Sequence, residues 1–449
     1  MTDLPPLLVL LDLALLGWAW RRRRDLFLRP STWVLTLSSI IFLVPGLFFG
    51  SEVREMAPYA LQAQMYGAVL VLLALAASLW SRRLELDETL LPALQAEGAP
   101  AGAALRRVGL VLGVLTLWYL ARVPLRSSGL YALLFDPDNA ALAREEALKL
   151  LDARLLQYAY LIGFSALSPL AFALLLTWAR ELPRRRRWVA LGGVTTGLAF
   201  YLLLTGARVG LFNLALVGVF HALLRNRLRL DWRWLVAGGG LAVAVPVLLS
   251  LVRERGRTEA GLLEVLEGVG ERVLLIPLLI AGWFVEFAQT RGPAGLSTAL
   301  GLAGQENWSN LIALEFLERK EAISIESVST PTAFFFYNFL YFGWLGLVPS
   351  LLGLQLFDLP ARWALAARPS LRLPLLAVLI YFSVQLVQTG FGAVVLTHGY
   401  AVVAGIALAS AWAERGAGAS PLPPPGSLDA VGERMVSASP RPPRPDFPP

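Results

Sequence analysis

The chain has 449 residues, 56% of them hydrophobic and 16% charged, with a mean hydropathy of +0.61. A soluble chain of this length would carry more charge, and a transmembrane barrel would show short alternating strands, so the composition points to an all-α polytopic membrane protein. The formal charge of +7 is nearly all arginine, Lys149 and Lys320 being the only lysines; it reads as topology signal, with no nucleic acid implied, and the lack of cysteine excludes disulfides and thiolate metal sites.

In chain order, the first apolar run, 4–20, is followed by "RRRR" (21–24) and not preceded by positive charge. It reads as a first span with its N-terminus outside, not as a cleavable signal. Further spans are expected at 32–50, 62–80, 108–125, 156–178, 188–205, 208–224, 234–252, 331–356, 373–390 and 397–413, about eleven in all. The arginine-rich stretches near 21–24, 82–107, 180–187, 225–233 and 361–372 fall in alternate connections. All are therefore cytoplasmic, which fixes the orientation in a bacterial cytoplasmic membrane. The expected domain is 1–414, and the Pro-rich tail 415–449 is expected to be disordered in the cytoplasm.

Two outer connections are long. The first, 126–155, holds "DPDNAALAREEALKLLDARLL", where Asp136 or Asp138 could cap a surface amphipathic helix. The second, 253–330, lies between the eighth and ninth spans and contains the apolar run 273–289. A crossing there would move "ARWALAARPSLR" to the outer side. An interfacial or re-entrant segment is therefore expected, weakened by Pro277 and Gly282, with Trp283, Phe284 and Phe287 at the headgroup boundary.

Arginines on the outer side need a reason. Arg208 stands at the tip of the hairpin "LLLTGARVGLFN", between two apolar segments. A charge at membrane depth costs roughly 2.5–3.5 kcal/mol on insertion scales and is usually functional or paired. Arg253, Arg255, Arg257, Arg272 and Arg291 belong to the long loop. Guanidinium groups near the headgroups suit an anionic ligand, since they bind phosphate through two parallel hydrogen bonds; the candidates are a lipid phosphate, a lipid pyrophosphate or an acidic glycan. There is no Walker A loop and no Gly-rich turn after a strand, so a nucleotide is not the expected substrate. An external enzyme without ATP would need an already activated substrate, and a lipid-pyrophosphate-linked sugar is one.

Three stretches resemble a known family, the Wzy-type oligosaccharide repeat-unit polymerases and their O-antigen ligase relatives. "LLLTGARVGLFNLAL" is similar to the family's Arg-and-Gly span start, and "ERVLLIPLLIAGWFVEFA" to its loop segment. "SVSTPTAFFFYNFLYFGWLGLVPSLLGL" resembles its Ser/Thr/Pro run followed by Tyr337, Asn338, Phe339 and a Phe-Gly-x-x-Gly stretch at Phe342, Gly343 and Gly346. The resemblance covers roughly 200–356. It implies a GT-C-like, inverting glycosyltransferase needing no metal or other cofactor, which joins undecaprenyl-pyrophosphate-linked oligosaccharides on the outer face of the membrane. Donor and acceptor would both be lipid-linked, and membrane lipids and a chain-length regulator are the further expected partners. Arg208, Arg257 (separated from Gly268 by ten residues), Arg272 and the other loop arginines would bind the pyrophosphate or glycan, with Tyr337 and Asn338. The general base is left open among His398, Glu286 and Glu306. The ligase relatives use an outer histidine, for which His398 is the candidate. A transporter or flippase is the remaining alternative, with Asp12 as the one clear mid-span acid.

The topology is directly testable because the chain has no cysteine. Ser297→Cys should react with an impermeant maleimide in intact cells. Labelling only after lysis would invert or break the assignment.

Overall fold

A computed structural model describes residues 4–48, 57–80, 101–135, 154–206, 209–229, 275–299 and 332–416, with a few more in 143–151 and 308–315. Those residues are mostly helical, joined by short turns, with no strand among them. The helices are α1 (Leu4–Arg22), α2 (Pro30–Phe48), α3 (Ala60–Trp80), α4 (Gly102–Arg122), the short α5 (Gly129–Phe135), α6 (Arg154–Glu181), α7 (Arg184–Leu203), α8 (Val209–Arg225), α9 (Ile276–Arg291), α10 (Phe334–Ala366), α11 (Pro369–Leu386) and α12 (Tyr400–Gly416). Seven helices among the described residues are long and apolar enough to cross a membrane. The expected eighth span, 234–252, most of the tail, and Asp136 and Asp138 lie outside the described residues.

α11 is the centre of the bundle. Every residue from Leu373 to Leu386 is buried, because α2, α6, α8, α10 and α12 all pack on it. A helix apolar all round is what such a position selects. Pro369 starts it at a position where the missing N–H costs nothing. Polar side chains then tie neighbours together where no water is available. Ser383 Oγ donates to the Pro30 carbonyl at 2.7 Å. Asp358 of α10 accepts from Ser31 N–H at 2.9 Å and from Ser31 Oγ at 2.7 Å. Tyr400 donates to the Phe357 carbonyl while its ring stacks on Phe357. His221 is buried in α8 and shares a hydrogen bond with Thr177 of α6.

The run 273–289 departs from expectation in its details. Ile276–Arg291 is one continuous helix of 16 residues, about 24 Å at 1.5 Å per residue and so shorter than the ~30 Å hydrocarbon layer. Pro277 sits in its first turn, where proline is favoured. Gly282 does not weaken it: a Cβ there would stand 3.0–3.1 Å from Ala57 and Ala60, so the glycine lets α9 close on the start of α3. Trp283, Phe284 and Phe287 are buried against protein, not displayed to headgroups.

The Phe-Gly-x-x-Gly stretch is a break in α10. Gly343 takes φ 58° and ψ −137°, open in practice only to glycine. Gly346 passes so close that a Cβ would collide with the Asn338 carbonyl. Beyond it the helix runs on to Ala366, further than the expected end at 356, so much of "ARWALAARPSLR" is helical and the connection to α11 is short.

Gly346→Ala should therefore lower the thermal unfolding midpoint in detergent, with a cost of about 1–3 kcal/mol for overpacking. Gly109→Ala is the control, since nothing lies within 4 Å of a Cβ at that position of α4. Equal midpoints for the two variants would mean that the Gly346 approach is looser than described.

Candidate functional site at the hairpin end of the bundle

The hairpin between α7 and α8 lies at the end of the bundle remote from the arginine runs. Three buried tyrosines converge on it, one from each of α4, α6 and α7. The rings of Tyr119 and Tyr160 meet at a tilt with centroids 4.9 Å apart, and those of Tyr160 and Tyr201 likewise at 4.9 Å. Tyr160 donates to the Tyr201 carbonyl and Tyr201 to the Tyr160 carbonyl, each at 3.0 Å. Tyr119 donates to the Leu204 carbonyl at 3.1 Å, and the Leu130 N–H donates to the same oxygen at 3.3 Å. The α7 carbonyls freed by the helix end are thus satisfied by side chains and by α5. Gly206 turns the chain with φ 71°, and Gly129 presses its backbone against Thr205 and Gly206, where a Cβ has no room. Arg208 follows two residues later and lies outside the described residues, as do Arg253, Arg255, Arg257, Arg272 and Glu306.

The described candidates form two groups. In one, Tyr337 packs edge-on against Phe284 at 5.0 Å, bringing α10 and α9 together, and Gly390 lies against the same tyrosine ring. Next to it, the Asn338 amide donates to Ser350 Oγ at 2.9 Å, and Ser350 donates to the Gly346 carbonyl at 2.7 Å. Asn338 is thus engaged across the α10 break. Glu286 is half-buried on α9, and its carbonyl accepts from Thr290 Oγ1 at 2.8 Å. Arg291 pairs with Glu315 at 2.8 Å and lies over the Phe287 ring at 4.8 Å. That pairing is partly exposed and contributes of order 0–1 kcal/mol.

His398 forms the other group. It ends a π turn, Ala393–Thr397, just before α12. Gly399, with φ 83°, packs on Ile162 and Ala166 at the π turn of α6. The imidazole is half-buried and has no hydrogen-bond partner among the described residues. No hydrogen bond or ion pair among the described residues joins it to Glu286, Arg291, Tyr337 or Asn338.

A second polar cluster, at the arginine-rich end, was not visible in the sequence. Arg29, 1% exposed, lies beside a pocket lined by Ser31, Ser78, Gln355 and Asp358. Burial pushes its guanidinium below the ordinary value, and Asp358 and Asp25 oppose that shift. Asp25 itself is bridged to Arg23 at 3.0 Å. The available signal was Asp358, a lone acid inside an apolar helix.

No protein-family model matches the chain, and no curated protein or solved structure matches it.

Tyr160→Phe removes one donor of the reciprocal pair and leaves a buried carbonyl short, so a loss of about 1–3 kcal/mol is expected. Tyr158→Phe is the control, its side chain being 50% exposed. Thermal unfolding of the purified protein measures both, and equal values would show that the clamp contributes nothing.

Proposed function

We propose that the chain is a membrane glycosyltransferase that polymerises lipid-pyrophosphate-linked oligosaccharide units on the outer face of the cytoplasmic membrane. The observation that carries this reading is the hairpin Leu204–Gly206, fixed by Tyr119, Tyr160, Tyr201 and Gly129 directly before Arg208. Charge stabilisation in a transition state depends on donors held in place before the reaction. The turn whose carbonyls are satisfied and whose backbone is wedged ends two residues before Arg208. The leaving group is a lipid pyrophosphate, whose growing charge Arg208 and Arg272 would oppose, with Arg257 contributing less. The acceptor hydroxyl attacks the anomeric carbon as the C–O bond to the pyrophosphate breaks, and a base takes its proton.

A second reading, transfer of a finished glycan to lipid A core or protein, would use His398 as the outer histidine that the resemblance implies for the ligase relatives. His398 stands half-buried with its ring nitrogens unengaged among the described residues, as a proton acceptor requires. Both readings keep the arginine chemistry.

The test is purified protein in liposomes with undecaprenyl-pyrophosphate-linked units alone. A polymerase gives a ladder of products, whereas a ligase gives none until a separate acceptor is added. Arg208→Lys keeps the charge but loses the planar fork, so turnover should fall roughly 10²–10³-fold with donor binding little changed. Arg415→Ala, at the exposed end of α12, should leave the ladder intact. Normal ladders from both Arg208→Ala and Arg272→Ala would make these arginines scaffolding and end the pyrophosphate reading.

A further inference from the structure

Asp12 sits on α1 with 0% of its surface exposed, on the face that also buries Val9, Leu16 and Ala19. Neither of its carboxyl oxygens has a hydrogen-bond partner among the described residues. Buried polar groups are nearly always satisfied, and an ionisable group inside a membrane span marks a functional site by default.

Its depth can be read from the helices around it. α1 and α2 run antiparallel, and Trp20 meets Trp33 near the arginine-rich end, ring centroids 6.1 Å apart. Asp12 lies about 12 Å along α1 from Trp20 at ~1.5 Å per residue, and the same rise along α2 from Trp33 reaches the π turn Ser39–Leu43. α1 packs on that turn and on α3. The neighbourhood has other unfilled polar valences. Ser38 Oγ, just before the turn, is buried with no partner among the described residues. Gln64 of α3 spans to the turn, its Nε2 donating to the Leu43 carbonyl at 2.8 Å, while its Oε1 is buried with no partner among the described residues. π turns inside helices occur disproportionately at functional sites.

The titratable side chains on the elements packed against α1 are few among the described residues. Arg24 and Asp25 lie in the turn at the arginine-rich end, and Asp25 is already bridged to Arg23. Tyr66 of α3 packs its ring on Phe339 at 4.8 Å and on Trp344 at 5.5 Å, both of the α10 stretch. Arg21 and Arg22 end α1 itself. No cation among the described residues stands opposite Asp12.

We propose that Asp12 is an exchangeable proton-binding site in the membrane interior, with Ser38 and Gln64 as the polar groups that share its depth. The proton comes from water and returns to it. A single carboxyl with one hydroxyl and one amide oxygen suits a proton better than a metal cation, which needs about six oxygens. This goes beyond glycosyl transfer, and supplies the element that a proton-linked movement of an anionic lipid-linked substrate would use.

The full-length protein in liposomes is treated with dicyclohexylcarbodiimide, which enters apolar regions and modifies protonated carboxyls, and the peptide ending at Arg21 is sequenced by mass spectrometry. The expected result is an adduct on Asp12 that falls at least about tenfold between pH 6 and pH 10, as for a titrating acid. A water-soluble carbodiimide should leave Asp12 unmodified, sodium at constant pH should give no protection, and Asp12→Glu should retain labelling that Asp12→Asn abolishes. No adduct on wild-type Asp12, an adduct insensitive to pH, or equal labelling by the water-soluble reagent would overturn the proposal. Protection by sodium would overturn it in favour of a metal cation.

Discussion

The structure depends on burying α11 on all sides. With Leu373–Leu386 wholly enclosed, that helix touches little but other helices, and five of them are arranged by the need to cover it. Lipid supplies no hydrophobic drive for one apolar helix to seek another. Close packing and a few polar ties must do that work. The ties are placed accordingly: Ser383 to the Pro30 carbonyl, Ser31 to Asp358, and Tyr400 to the Phe357 carbonyl. Each joins α2, α10, α11 or α12 to a neighbour in that central set.

Much of this was legible in composition and periodicity. Long apolar runs punctuated by arginine gave helices close to α1, α2, α3, α4, α6 and α11, because length and hydropathy suffice to define a span. The end of α10 is not legible in the sequence, since hydropathy drops at Asp358 and Arg362 while the helix continues to Ala366. Asp358 is buried and accepts two hydrogen bonds, so a charge that looks like a boundary is an internal partner. The aromatics of α9 misled in the same way. Trp283 and Phe287 have the composition of a headgroup belt, and nothing local records that α3 and α10 cover them.

The candidate site was legible only in part. Arg208 drew notice because a charge between two apolar runs is costly, and such a cost shows in sequence alone. The tyrosines beside it did not, because Tyr119, Tyr160 and Tyr201 come from three helices and each alone looks like an ordinary interfacial residue. The glycines and Asn338 of the Tyr-Asn-Phe/Phe-Gly-x-x-Gly stretch have a physical task. They build and lock a break in α10, and Tyr337 sets α9 against it. A stretch with a structural duty of this kind constrains the fold whatever reaction the protein performs.

The tie between Ser31 and Asp358 joins residues 327 positions apart, and that between Ser383 and Pro30 spans 353. Synthesis at about 5–20 residues per second separates their emergence by roughly 15–70 s. During that interval α2 is in the bilayer beside Arg29 with neither partner made. Arginine near a helix end can hold its head at the interface while its stem remains in the apolar layer. Neither tie can form before α10 and α11 have been made, so α2 and the buried Arg29 reach their final surroundings only with the chain's last quarter. Maturation of the protein is thus a late event in translation, set by how long its first helices remain without their last.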